Sequence, residues 1–75
     1  MEQRLTAVFK SVFNLDGDAV RDEWGPGDID GWDSLGHLNL LASLEKEFNV
    51  KFQMDEVIAM ENVRAIKEIL ARRLT

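Results

Sequence analysis

The chain has 75 residues, no cysteine and a formal net charge of -5. A chain of this length is expected to form one domain over residues 1–75 and to bury roughly 60% of the surface its unfolded form exposes, which argues against a large enclosed enzyme pocket. With no disulfide and no thiolate metal site to staple it, core packing must hold the fold.

The charge is unevenly placed. From Asp16 to Asp33 there are seven acids against Arg21 alone, whereas residues 34–75 carry six acids and six bases. A negative field of this kind repels phosphate backbones and anionic lipid heads, so neither nucleic acid nor a membrane is an expected partner; a basic protein surface is. No apolar run of signal-peptide length follows Met1-Glu2-Gln3-Arg4, and no stretch approaches the roughly 20 apolar residues of a membrane span. A soluble, cytoplasmic monomer is expected.

Between Glu2 and Leu15 the residues Leu5, Val8, Phe9, Val12 and Leu15 follow helical spacing and predict a first amphipathic helix. Asn14, Asp16, Gly17 and Asp18 supply turn chemistry, and Gly25, Pro26, Gly27 and Gly31 keep the following stretch irregular. The result is a long connection, a feature that in small domains is usually functional or mobile. Asp33 is suited to cap a second helix running to about Phe48, with an apolar stripe of Leu35, Leu38, Leu40, Leu41, Leu44 and Phe48. Residues 49–53 read as an extended connector. Met54 to Met60 predicts a short third helix with Asp55 and Glu56 at its positive end, and Asn62 caps a last helix carrying Val63, Ile66, Ile69, Leu70 and Leu74. The fold class is therefore all-α, four helices with a long loop between the first two and a short third.

Ser34 stands at the start of the second helix, where free amides and a partial positive charge would stabilise a phosphodiester on its hydroxyl. That geometry permits a phosphorylated serine without saying what the phosphate carries. Here Gly31-Trp32-Asp33-Ser34-Leu35, the leucine-rich helix after it and Glu45-Lys46-Glu47-Phe48 resemble the attachment region of acyl carrier proteins. The Asp-Ser-Leu core is the diagnostic part, and the agreement in helix order and loop length extends over nearly the whole chain. The resemblance implies a four-helix carrier-protein bundle and a 4'-phosphopantetheine arm attached to Ser34, flanked by Asp33 and Leu35. It further implies that a phosphopantetheinyl transferase installs the arm from coenzyme A with magnesium, and that acyl-loading and acyl-processing enzymes with basic docking patches handle the cargo, in fatty acid, polyketide or related specialised synthesis. By the same resemblance the acyl chain can withdraw between the helices, with Leu41, Phe48, Ile58 and Ile66 as lining residues that helical spacing alone would class as plain core.

The partner-facing positions expected on this basis are Trp32, Gly36, His37, Asn39, Glu45 and Glu47. Gly36 and Asn39 stand where carriers of primary fatty acid synthesis commonly have acids, and Lys46 is not acidic either, which fits a specialised pathway. Gly36 also costs the helix about 1 kcal/mol relative to alanine, read here as tolerance near a helix end more than as a close approach. Trp24 and Trp32 are candidates for pinning the loop to the bundle, ahead of anchoring a partner. His37 is expected to be an exposed polar residue able to contact the phosphate or a partner.

Two other chemistries share these residue types. Asp33, Ser34 and His37 contain the letters of a hydrolase triad, but there is no Gly-x-Ser-x-Gly elbow, and three neighbours on one helical turn do not make the relay. The aspartates of the loop could bind calcium, yet starting from Asp28 the sixth position is Asp33 and the twelfth Asn39, where the calcium loop needs glycine and glutamate. No catalytic residue and no metal site are expected. An aminoacyl or peptidyl carrier shares the same bundle and arm, and an unmodified helical interaction module is a further alternative.

Overall fold

The computed structural model describes residues 2–15, 17 and 20–74 of the chain. Four helices follow one another: α1 (Glu2–Phe13), α2 (Ser34–Phe48), α3 (Met54–Ala59) and α4 (Val63–Leu74). Each starts and stops for a local reason. In α1 the stripe of Leu5, Val8 and Phe9 turns inward, and the helix ends two residues before the expected Leu15 because Asn14 takes a left-handed conformation with φ 54°. Leu15 N–H then reaches back to the Lys10 carbonyl at 3.1 Å, which satisfies one of the carbonyls left open at the helix end. The end of α2 repeats this, with Asn49 at φ 55° and Val50 N–H donating to the Glu45 carbonyl at 3.1 Å.

The shortest helix, α3, is set by its first turn, where the Glu56 carboxylate accepts the Gln53 N–H at 2.7 Å. Glu56 also receives Arg73 Nε at 2.9 Å, so α3 is tied to the last turn of α4 and the Glu56 carboxyl is held below its ordinary range, chiefly by that guanidinium. Asn62 caps α4 as expected, its side-chain oxygen accepting Ala65 N–H at 2.8 Å.

The core combines α1 (Leu5, Val8, Phe9), α2 (Leu40, Leu41, Leu44, Phe48) and α4 (Val63, Ile66, Ile69, Leu70) with Met60 and two loop residues, Ile29 and Trp32. Burial of this apolar surface is the main stabilising term in a fold without covalent staples. The expected stripe of α2 is narrower than its leucine count suggests: Leu35 and Leu38 are 69% and 59% exposed.

The connection between α1 and α2 is held down along its described part. Its carbonyls at Asp22 and Trp24 accept the Arg64 and Val63 amides at 2.9 and 2.8 Å, completing the start of α4 from outside the helix. A Cβ on Gly25 would meet the Glu61 carbonyl oxygen at 2.4 Å, so the chain crosses the α3–α4 junction where only glycine fits. Lys67 adds two ion pairs, to Asp22 at 2.6 Å and to Glu2 at 2.7 Å. These raise the Lys67 pKa, while the Lys67 ammonium lowers that of Asp22. Trp24 is half-buried and packs against the core, in keeping with its expected role as a loop anchor.

Candidate functional site

Ser34 is the first residue of α2 and is exposed. Asp33, its N-cap, accepts Gly36 N–H on Oδ1 at 2.8 Å, and its carbonyl accepts His37 N–H at 2.7 Å. The cap thus takes up one orphan amide of the first turn and fixes the direction in which the helix leaves the loop. Among the described residues no side chain hydrogen-bonds the Ser34 hydroxyl. An accessible hydroxyl at the positive end of a 15-residue helix fits a phosphodiester.

The ground under this turn is built from the loop. Trp32 is 1% exposed and stands edge-on to Phe9 at 5.3 Å between ring centroids and nearly parallel to Phe13 at 5.8 Å. Its indole nitrogen donates to His37 Nδ1 at 3.0 Å. Trp32 is therefore not partner-facing but pins the loop, the first of the two roles expected for it: its ring is inside, because two phenylalanines of α1 offer it an apolar seat.

Gly36 is likewise not partner-facing. It is buried, and a Cβ there would fall 1.8 Å from the Gly31 carbonyl oxygen and 3.3 Å from Asp33 Oδ1. The helix lies directly on the Gly31 peptide, so Gly36 is a close approach and not tolerance. His37, expected to be exposed, is half-buried; its imidazole is held by Trp32 on Nδ1 and approaches the Val57 carbonyl through Nε2 at 3.4 Å.

Of the remaining expected positions, Asn39 is exposed. Glu45 is half-buried and has its carboxylate on the Phe52 amide at 2.9 Å, which orders the connector instead of offering a free charge. Glu47 is exposed but accepts Arg4 Nε at 2.9 Å, and the same guanidinium lies 4.6 Å over the Phe48 ring. Ile58 does not line the interior as expected: it is 71% exposed, while Leu41, Phe48 and Ile66 are buried in the core. Leu35, Leu38, Met54 and Ile58 are instead large apolar side chains left at the surface, on the opening turns of α2 and along α3.

The acidic segment divides by role. Asp22 is paired with Lys67, Asp28 accepts Gly25 N–H at 2.8 Å and closes a turn, and Glu23 lies 3.5 Å from Arg21. Asp30 and Asp33 are exposed, Asp33 directly before Ser34 in the chain. Asp16 and Asp18, part of both the acidic field and the calcium alternative, lie outside the described residues.

A family model described as a phosphopantetheine attachment site matches residues 3–70. Comparison with curated proteins gives no match. Among solved structures the chain is similar to the solution structure of a holo acyl carrier protein from Geobacter metallireducens, at 38% identity and a TM-score of 0.80, covering 99% of this chain and 92% of that one.

Proposed function

The chain belongs to the acyl carrier proteins, the family that bears 4'-phosphopantetheine, and from that membership we propose that Ser34 is the residue to which the arm is joined. The protein is a non-catalytic carrier. When bound, the arm supplies the thiol that holds an acyl group as a thioester. What the chain itself must supply is a hydroxyl that a transferase can reach. Its oxygen forms the new bond to the phosphorus of coenzyme A, the phosphoanhydride breaks with loss of adenosine bisphosphate, and the hydroxyl proton passes to a base of the transferase. The observation that carries the reading is the exposed Ser34 hydroxyl at the capped, positive start of α2, to which no side chain among the described residues hydrogen-bonds.

Partner enzymes of fatty acid, polyketide or related specialised synthesis would meet the surface around Ser34. Asp30 and Asp33 are exposed there, no lysine or arginine occurs between Arg21 and Lys46, and Leu35, Leu38, Met54 and Ile58 add apolar area. A basic rim around an apolar contact complements this surface. Of the expected docking residues Asn39 is exposed, while Glu45 and Glu47 have partners within the chain.

The test is the intact mass after incubation with coenzyme A, magnesium and a broad phosphopantetheinyl transferase. The protein gains the mass of one phosphopantetheine and Ser34→Ala gains none. An unchanged mass, or an equal gain in Ser34→Ala, overturns the assignment.

A further inference from the structure

The imidazole of His37 links three parts of the molecule. Trp32 Nε1 can only donate, so His37 Nδ1, 3.0 Å away, must present its lone pair. A neutral imidazole then carries its hydrogen on Nε2, the nitrogen 3.4 Å from the Val57 carbonyl. The indole and imidazole planes lie 15° apart with their centroids 6.2 Å from each other, and the two bonded nitrogens at 3.0 Å are the closest edges of the rings. The ring fastens the last residues of the loop to the first turn of α2 on one side and to α3 on the other.

We propose that His37 is a positioning residue for Ser34: as the neutral Nε2–H tautomer it braces Trp32 against Val57 and so fixes the Trp32-Asp33-Ser34 peptide relative to α3. The inference rests on the carrier reading of Ser34. With Trp32 seated between Phe9 and Phe13, the brace runs from α1 through the loop to α3 and crosses the peptide bearing the hydroxyl. A transferase then meets a preordered nucleophile and has less conformational freedom to remove on binding.

A hydrogen on Nδ1 would face the indole N–H, donor against donor, so the brace needs the Nε2–H tautomer. The neighbouring charges are committed or directed elsewhere. On α2 the Asp33 carboxylate holds the Gly36 amide; on α3 Glu56 is paired with Arg73 and Asp55 is exposed; α1 meets the indole through Phe9 and Phe13. Glutamine in place of His37 offers an acceptor and a donor, whereas leucine offers neither.

The experiment compares the wild-type protein, His37→Gln and His37→Leu. Nitrogen-15 spectra of His37 and the indole N–H resonance of Trp32 are recorded together with the rate of phosphopantetheine transfer. The wild type shows the Nε2–H tautomer, and the Trp32 indole signal moves in His37→Leu and keeps most of its position in His37→Gln. His37→Leu is modified about 2- to 10-fold more slowly than wild type, the factor expected for one hydrogen bond, and His37→Gln recovers most of it. An Nδ1–H tautomer, a Trp32 signal unmoved in His37→Leu, or a His37→Leu protein modified as fast as wild type overturns the proposal. If no variant takes up the arm, the carrier reading of Ser34 fails, while the tautomer and Trp32 measurements still decide the brace.

Discussion

Gly36 rests on the peptide of Gly31, with its Cα so close to that carbonyl that a methyl group in place of hydrogen would sit 1.8 Å from the oxygen. The contact joins the loop to the helix that bears Ser34, and it gives Gly36→Ala a sign opposite to helix propensity. Propensity alone would favour alanine by about 1 kcal/mol. Overpacking against backbone costs roughly 1 to 3 kcal/mol, and for a domain of this size each kcal/mol lowers the melting temperature by about 4–8 °C. Thermal unfolding followed by circular dichroism should therefore show Gly36→Ala melting below the wild type; a higher melting temperature would contradict the packing.

Removal of the Asp33 side chain separates capping from chemistry. Asp33→Ala loses the bond to Gly36 N–H and is expected to cost about 0.5–2 kcal/mol in urea unfolding, while Asp33→Asn keeps most of that stability. Equal losses in both variants would mean that the carboxylate charge, and not the cap, matters here.

Stability should depend on pH through two ion pairs. The Asp22 and Glu56 carboxyls are lowered from 3.8 and 4.5 by hydrogen bonds from Lys67 and Arg73. Their contribution is complete above those values and is lost as pH falls through the lower values of the folded protein. The Lys67 ammonium is raised from 10.5, so its side of the same pair is complete below 10.5 and is lost as pH climbs past its folded value. Urea midpoints should be flat across neutral pH and fall below about pH 4. In Asp22→Asn the acid-side decline should be shallower; an unaltered slope would show that the Lys67 pair contributes nothing measurable.

The two isoleucines first grouped as lining residues should behave oppositely. Ile66 is 0% exposed and Ile58 71% exposed. Ile66→Ala is expected to cost about 2–5 kcal/mol, and Ile58→Ala to stay within about 0.5 kcal/mol. Denaturant unfolding of both variants decides it, and a comparable loss in each would return Ile58 to the interior.

These contrasts mark where the sequence was readable. Helix positions followed from apolar spacing, and the caps at Asp33 and Asn62 from the side chains that can accept an amide one turn on. Ser34 stood out through its motif and its place at a helix start. The inward turn of His37 could not be read from spacing, because its partners are an indole in the loop and a carbonyl on α3 that only tertiary structure brings together. The same holds for Trp32, whose seat is made by α1. Gly36 did leave a signal, a poor helix former in the first turn of the central helix, but only the position of Gly31 distinguishes necessity from tolerance. Leu35 and Leu38 show the limit of periodicity: the buried face of α2 runs through Gly36, Leu40, Leu44 and Phe48, and at 3.6 residues per turn these two leucines fall on the other side of the helix.

The start of α4 is finished by atoms that do not belong to it, the carbonyls of Asp22 and Trp24. Peeling away this stretch of chain would therefore unpair the Val63 and Arg64 amides on a distant helix. Hydrogen exchange at those two amides would report any loosening of the chain ahead of Ser34, at a helix remote from it in sequence.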